Sequence, residues 1–120
     1  MQVDVIIPAF NEQNSIGSVI NDIPKDLVRD IIVVDNNSSD ETSINAKNAG
    51  ATVLKQPLQG YGNACLKGIE HITNKEQQPD VVVFLDADYS DFPQEMSLLL
   101  NKIWKGADMV IGNRVKEKRE

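Results

Sequence analysis

Short apolar runs alternate along the chain with segments whose apolar residues have helical spacing. The runs are rich in β-branched and large apolar residues, and they predict five strands, over residues 2–8, 30–35, 51–55, 81–85 and 107–112. The run at 51–55 has the weakest pattern. Runs without a polar face are typical of strands buried on both sides, as in parallel sheets. We therefore expect a mostly parallel sheet.

The segments between the predicted strands read as amphipathic helices. Ser38, with Glu41 three positions later, is a capping-box signature, and Gly50 and Gly106 stand where helices should end. We expect three apolar stripes to lie on the sheet: Ile16, Val19, Ile20 and Ile23; Tyr61, Cys65, Ile69 and Ile72; and Met96, Leu99, Leu100 and Ile103. The alternation predicts an α/β fold, a Rossmann-like, mostly parallel sheet flanked by helices.

Two carboxylates follow the apolar run at 81–85, in the sequence Asp86-Ala87-Asp88. Residues two apart in an extended segment point to the same side, so the two carboxylates converge and could share a hard divalent cation. A simpler interpretation explains the same residues: Asp88 or Asp91 caps the next helix, and Asp86 is a solvated strand end.

The other unusual polar clusters also follow predicted strands. Residues 8–12 leave the first strand, Asp35 ends the second, Gly60 and Gly62 lie after the third, and Arg114 follows the last. In an open parallel sheet, ligands bind in the crevice outside the carboxyl ends of the strands. We therefore expect these clusters to share one edge of the sheet.

Composition narrows the function classes. The chain has 120 residues, which is the size of one domain, and its net charge of −6 with scattered basic residues argues against nucleic-acid binding. It has no signal-peptide pattern and no apolar run approaching the ~20 residues that span a bilayer, so we expect a cytoplasmic location. We expect Cys65 to be a reduced core thiol and His71 to lie on a helix surface.

Five sequence blocks in a fixed order carry a resemblance to a known family. They are Ile-Ile-Pro-Ala-Phe-Asn-Glu, Val-Val-Asp-Asn-Asn-Ser-Ser-Asp-Glu-Thr, Gly-Tyr-Gly-Asn-Ala, Phe-Leu-Asp-Ala-Asp-Tyr-Ser-Asp-Phe-Pro and Val-Ile-Gly-Asn-Arg. Together they resemble the family-two inverting glycosyltransferases of GT-A fold, closest to the branch of dolichol- and polyprenyl-phosphate hexosyltransferases. The resemblance implies a site for a UDP- or GDP-hexose, whose sugar is transferred with inversion to a lipid phosphate or a glycan.

The resemblance also implies roles for residues near the nucleoside. Pro8, Ala9 and Phe10 would form the wall against the base and ribose. Glu12 would accept hydrogen bonds from the ribose hydroxyls, a role suited to an acceptor-only carboxylate. Asp35 would accept the N–H of the base.

Further implied roles concern the diphosphate. Asp86, Ala87 and Asp88 would contact the nucleotide-sugar, with Mn²⁺ or Mg²⁺ bridging Asp88 and the diphosphate and Asp86 near the ribose and the metal's water shell. Asp86 and Asp88 would thus be the metal site and the catalytic residues, because a cation there stabilises the negative charge of the leaving group. Arg114 matches the position of a basic residue that faces the diphosphate. No residue is assigned as general base.

The chain departs from the family pattern at several points. Phe10 replaces a frequent Tyr, and Asn36 stands where many relatives have a second acid. Relatives in this branch run well past 200 residues, so we expect residues 1–120 to be a single nucleotide-sugar-binding domain, truncated at its C-terminal end.

Alternatives of other classes stay open at this point. One is a nucleotide-sugar-binding module without turnover, and another is a phospho-accepting receiver domain, which shares this length and has strand-end aspartates. A homodimer and a peripheral contact with the cytoplasmic face of a membrane are compatible with the sequence.

Overall fold

The sheet has five strands, all of them parallel. The computed structural model describes residues 2–88 and the backbone of 109–111. The strands are β1 (Val3–Ala9), β2 (Asp30–Asp35), β3 (Thr52–Lys55), β4 (Val81–Phe84) and β5 (Met109–Ile111). They lie side by side in the order β3-β2-β1-β4-β5. The predicted α/β class with a Rossmann-like parallel sheet is confirmed.

Three helices in the described part of the chain cover both faces of the sheet. They are α1 (Ile16–Asn21), α2 (Thr42–Asn48) and α3 (Tyr61–Thr73), and a 3₁₀ turn, Lys25–Leu27, precedes β2. Residues of α1 and α2 belong to one buried cluster with one side of β1 and β2, whereas α3 belongs to a second cluster on the other side. The helix predicted around Met96 to Ile103, and its end at Gly106, lie outside the described residues. No described helix combines the length and the apolar character that a membrane crossing requires.

The apolar stripe predicted for α1 is confirmed. Ile16, Val19, Ile20 and Ile23 are all buried against the sheet. This stripe was readable from the sequence because each position carries a large apolar side chain at regular helical spacing.

The stripe predicted for α3 is confirmed at Ile72 and wrong at Tyr61 and Ile69. Its buried residues are Ala64, Gly68 and Ile72, while Tyr61 is 49% exposed and Ile69 is 38% exposed. A Cβ atom built on Gly68 would lie 2.8 Å from Cγ2 of the fully buried Ile6, so the helix backbone approaches the sheet through a position without a side chain. Small residues therefore decide the orientation of α3. Cys65 is only partly buried and packs against the cluster around Ile6.

The capping box predicted at Ser38 and Glu41 is also wrong. Helix α2 begins at Thr42, with Glu41 at the N-cap position and no side-chain capping bond from it. The Ser38 hydroxyl instead accepts the backbone N–H of Asn11 at 2.8 Å. A long-range contact with the β1–α1 loop thus replaces the local contact that the sequence signature predicted.

The helix end predicted at Gly50 is confirmed. Gly50 has φ +100°, a conformation that side chains disfavour, and its N–H donates to the Lys47 carbonyl at 3.0 Å. The N–H of Ala51 donates to the Ala46 carbonyl at 3.1 Å. These two bonds form a Schellman motif, which terminates α2 and turns the chain into β3.

A charged network joins the amino ends of the strands. Asp4 is fully buried and receives two hydrogen bonds from Arg29, at 3.0 and 2.6 Å, and one from Lys75 at 3.0 Å. Lys75 also donates to Asp30 at 2.8 Å. His71 is partly buried, and its Nε2 lies 3.8 Å from the Asp30 carboxylate rather than on an open helix surface.

Candidate functional site

Strands β1 and β4 stop pairing before the carboxyl edge of the sheet, and we call the place between their carboxyl ends the crevice. Pairing of β1 with β4 ends at Ile6 and Phe84, whereas pairing of β1 with β2 continues to Ala9 and Asp35. Pro8 lies beyond the residues of β1 that pair with β4. The N–H that proline lacks is therefore not needed for a hydrogen bond between these strands. The strand order reverses at this place, and such switch points are where open α/β sheets bind ligands.

The turn that carries Asp86 and Asp88 is held by hydrogen bonds to β1 and to the start of α1. The N–H of Leu85 donates to the Ile6 carbonyl at 3.1 Å, which extends β4 by one link. The Ser15 hydroxyl, at the start of α1, donates to the Ala87 carbonyl at 2.6 Å. Ala87 is buried, Asp86 is partly buried and Asp88 is exposed. The turn is thus anchored at its middle residue with the second carboxylate open to solvent.

Glu12 brings a third acid to the crevice. Its backbone N–H donates to the hydroxyl of the buried Thr42 at 2.9 Å. Burial raises the pKa of Glu12 above its ordinary value, and the charges of Asp88 and Asp40 raise that pKa further. Glu12 and the turn with Asp86 and Asp88 therefore follow two adjacent strands at the same edge of the sheet.

The β1–α1 loop is held against the β2–α2 loop by further hydrogen bonds. Asn11, at φ +52°, accepts the N–H of Ser39 on its side-chain oxygen at 2.9 Å and donates its own N–H to Ser38. The N–H of Gln13 donates to Asp40 at 3.3 Å. These bonds fix the loop that carries Glu12 without burying its side chain completely.

Asp35 ends β2 beside a cleft of about 290 Å³. The cleft is lined by Asp35, Asn37, Ser38, Lys55, Gln56 and Pro57. One carboxylate oxygen of Asp35 accepts the Ser38 N–H at 2.9 Å, and the other accepts the Ser43 hydroxyl. Burial acts to raise the pKa of Asp35, but the hydrogen bonds from Ser38 and Ser43 and the charge of Lys55 outweigh it, so the pKa lies below its ordinary value. The group is therefore an ionised hydrogen-bond acceptor.

Asn36 connects the end of β2 to the loop that precedes α3. Its side-chain amide nitrogen donates to the carbonyls of Gln56, at 2.9 Å, and Leu58, at 2.7 Å, and its oxygen accepts the N–H of Gly60 at 2.8 Å. Asn36 is 7% exposed. The position that departs from the family pattern thus contacts protein backbone on all sides.

Most of the residues singled out from the sequence come to this one edge. Pro8 is half-buried, Ala9 is buried and Phe10 is 49% exposed at the end of β1. The N–H of Asn36 donates to the Ala9 carbonyl at 2.8 Å, which joins the ends of β1 and β2. Arg114 lies outside the described residues.

Sequence reasoning missed the residues that hold the site together. Ser15 looks like a helix N-cap, but its hydroxyl serves Ala87 instead of its own helix. Thr42 ends the second of the five sequence blocks, and Ser43 follows it. Thr42 is buried and accepts the N–H of Glu12, and Ser43 is partly buried and donates its hydroxyl to Asp35. The sequence signal that could have identified such residues is a hydroxyl side chain close to an acidic residue at a strand end.

The donor set suits a divalent cation that also binds a substrate. Within residues 2–88, no group of three or more His, Cys, Asp and Glu side chains is arranged to hold a metal ion. The carboxylates of Asp86 and Asp88 are hard oxygen ligands at an open turn. Mg²⁺ typically binds to one or two carboxylates together with substrate phosphates and waters, so a set with few protein ligands fits a cation that arrives with a diphosphate.

A family model and two relatives match the chain. The model for glycosyl transferase family 2 matches residues 4–120. An uncharacterized protein of Methanocaldococcus jannaschii is 33% identical over 121 residues, which cover 99% of this chain and 49% of that protein. A dolichol-phosphate mannosyltransferase of Pyrococcus furiosus is 30% identical, over 95% of this chain and 33% of that enzyme. The chain thus spans half or less of the length of these two relatives.

A solved structure has the same fold. Glucosyl-3-phosphoglycerate synthase of Mycobacterium tuberculosis, in complex with Mn²⁺, UDP-glucose and phosphoglyceric acid, superposes with a TM-score of 0.73 at 32% identity. The match covers 88% of this chain and 40% of that one. The same enzyme has been solved with Mg²⁺ and UDP.

Proposed function

Because this chain belongs to glycosyl transferase family 2, we propose that its strand-edge crevice binds a nucleotide-diphosphate-sugar with a divalent cation and supports transfer of the hexose with inversion. The observation that carries the proposal is that Glu12 and the turn with Asp86 and Asp88 follow adjacent strands, β1 and β4, at the carboxyl edge of the sheet, where Ser15 ties that turn to the start of α1. The M. tuberculosis synthase, which shares this fold, was solved with a cation and a nucleotide-sugar. The family match also sets aside the receiver domain.

Each part of the nucleotide would meet a different strand end. We assign Pro8, Ala9 and Phe10 to the wall beside the base and ribose, and Glu12 to the ribose hydroxyls. Asp35 would accept the N–H of the base, because its pKa is held low and it stays ionised. Ala87 would contact the nucleotide through its turn, which Ser15 holds in place.

The diphosphate would lie at the turn after β4. A divalent cation, Mn²⁺ or Mg²⁺, would neutralise the negative charge that grows on the departing diphosphate. Asp88 would hold the cation, and Asp86 would contact its water shell and the ribose. Arg114 is proposed to face the diphosphate, as a planar donor suited to phosphate oxygens.

Inversion requires the acceptor oxygen to attack the anomeric carbon from the side opposite the diphosphate. A lipid phosphate would fit as acceptor because it is already anionic and needs little proton removal. The similarity to a dolichol-phosphate mannosyltransferase supports this class, and a glycan is the alternative. The truncated single-domain organisation, the homodimer and the membrane contact stay predictions.

Isothermal titration of the purified chain with UDP and GDP, each with Mn²⁺ and Mg²⁺, tests the binding step. We expect one nucleotide to bind with a strong dependence on the metal. Asp88→Asn should remove most of that dependence, about tenfold or more in affinity, since a neutral amide is a poorer ligand for a hard cation. Asp26→Asn is the matched control, because Asp26 is exposed and lies before β2, at the opposite edge.

Two results would contradict the proposal in different ways. A folded chain that binds neither nucleotide with either metal has no nucleotide site. A metal requirement that is unchanged in Asp88→Asn places the cation elsewhere. Adding a polyprenyl phosphate and a labelled nucleotide-sugar then separates a transferase, which moves label into the lipid, from a binding module without turnover.

A further inference from the structure

Asn36 uses every polar atom of its side chain to hold one short loop. Its amide nitrogen donates to the carbonyls of Gln56 and Leu58, and its amide oxygen accepts the N–H of Gly60, all at 2.7 to 2.9 Å. Asn36 itself sits directly after β2, more than nine-tenths buried. A single side chain therefore fixes three backbone groups of residues 56–60 against the end of β2.

Apolar packing contributes little to the position of this loop. Its side chains are exposed except for Gln56, which is partly buried, and Leu58 is 66% exposed. The other described bonds of the loop are from the Gln56 N–H to the Asp35 carbonyl, at 2.9 Å, and from the Leu58 N–H to the Gln56 side chain, at 3.1 Å. At the start of α3, the Asn63 side chain donates to the Gln59 carbonyl and the Ala64 N–H donates to the Gly60 carbonyl, each at 3.1 Å. A segment with so little apolar burial depends on its hydrogen bonds for a fixed conformation.

The loop forms one wall of the cleft beside Asp35. Gln56 and Pro57 line that cleft together with Asn37 and Ser38. A displacement of residues 56–60 would change the width of the cleft without altering Asp86 or Asp88. The position of the loop therefore bears on the base side of the site and not on the diphosphate side.

We propose that Asn36 is a positioning residue that holds the base-side wall of the cleft and thereby sets the affinity for the nucleoside part of the nucleotide. This inference rests on the proposed nucleotide function. The contacts require an amide, because one side chain must donate twice and accept once. An aspartate of the same shape keeps the acceptor for Gly60 but turns an ionised oxygen toward the carbonyls of Gln56 and Leu58.

The test compares Asn36→Asp with the wild-type chain by titration with UDP, GDP and inorganic pyrophosphate, each with Mg²⁺. We expect the affinity for the nucleotide that the wild type binds to fall about tenfold or more, the effect of two lost hydrogen bonds. Affinity for pyrophosphate should stay unchanged. The control Asn74→Asp makes the same chemical change at an exposed residue at the far end of α3 and should bind like the wild type.

A second measurement needs no nucleotide. Hydrogen exchange of residues 56–60 in the free protein should be faster in Asn36→Asp than in the wild type and in Asn74→Asp. If Asn36→Asp does not fold, Asn36→Ser gives the same comparison, since it removes the amide without burying a charge.

The outcomes separate this inference from the proposed function. A wild-type chain that binds neither nucleotide overturns both. If the wild type binds nucleotide and the Asn36 variant binds it equally well, the role of Asn36 alone is overturned. The same holds if the variant loses as much affinity for pyrophosphate as for the nucleotide. Unchanged exchange of residues 56–60 in the folded variant also overturns it.

Discussion

At Glu12, the proposed use of a carboxylate conflicts with what stabilises the fold. Burial and the neighbouring charges of Asp88 and Asp40 raise its pKa, so the folded state disfavours the ionised form. A raised carboxyl pKa contributes stability at low pH, and this contribution is lost as the pH rises through the folded-state pKa. The ionised Glu12 is thus held at a cost in free energy, as expected for a binding residue.

We predict that Glu12→Gln is more stable than the wild type at pH 7 and binds nucleotide more weakly. The gain should be below about 1 kcal/mol, because Glu12 is partly exposed and solvent screens its interactions. It should shrink at about pH 4, where the wild-type carboxyl is largely protonated. Urea unfolding at the two pH values measures the stability gain, and titration with the nucleotide measures the weaker binding.

Glu76→Gln is the control for this prediction, because Glu76 is exposed and lies between α3 and β4, away from the crevice. Its stability should match the wild type at both pH values. A Glu12→Gln variant that is less stable at pH 7 would contradict the assigned electrostatics.

The candidate site was predictable at its strand ends and not in the contacts that support them. Asp35, Asp86 and Asp88 follow strongly apolar runs, and parallel topology brings the ends of such strands together. Asn36 and Ser15 act on backbone groups 20 to 72 positions away in the sequence. A side chain that bonds to distant backbone has no local sequence signature, so only the structure reveals its role.

At the scale of elements, the sequence predicts those parts of the fold in which large apolar side chains fill the core. Strand β2 was predicted with its observed bounds, Asp30–Asp35, because its four central residues, 31–34, are apolar and buried. Helix α3 was predicted, but Tyr61 and Ile69 were wrongly included in its buried face, since the helix packs on Ile6 through Gly68. The hydrophobic pattern of a sequence does not mark a helix position that packs closely because it is a glycine.

We predict that Gly68→Ala destabilises the protein by about 1 to 3 kcal/mol, although alanine favours helices. The new Cβ would lie 2.8 Å from Cγ2 and 3.0 Å from Cδ1 of Ile6, which is fully buried and cannot move aside freely. Thermal or urea unfolding measures the loss.

Gly62→Ala is the matched control in the same helix. Nothing lies within 4 Å of a Cβ at Gly62, and its φ is not positive, so the substitution should stabilise by up to about 1 kcal/mol. Equal effects at the two glycines would contradict the close packing of α3 on Ile6.

At the scale of the whole molecule, the two edges of the sheet have different chemistry. The carboxyl edge gathers acids at open turns, whereas the amino edge holds the buried Asp4 with Arg29 and Lys75. Asp4 and Ala9 are separated by roughly 17 Å along β1, from the rise of an extended strand. Variants at the amino edge should therefore change stability and leave the ligand site unaltered.

We predict that Arg29→Met costs about 3 kcal/mol of stability, because the fully buried carboxylate of Asp4 loses two hydrogen bonds and keeps only Lys75. The double variant Asp4→Val, Arg29→Met should recover roughly half of that loss or more, since no unpaired charge is then buried and Lys75 keeps Asp30. The nucleotide dissociation constant of the folded variants should stay within about twofold of the wild type, as for distant sites. Urea unfolding and titration on the same samples measure both quantities. A double variant as unstable as Arg29→Met would mean that the network stabilises through its ion pairs, and a changed dissociation constant would mean that the amino edge and the crevice are coupled.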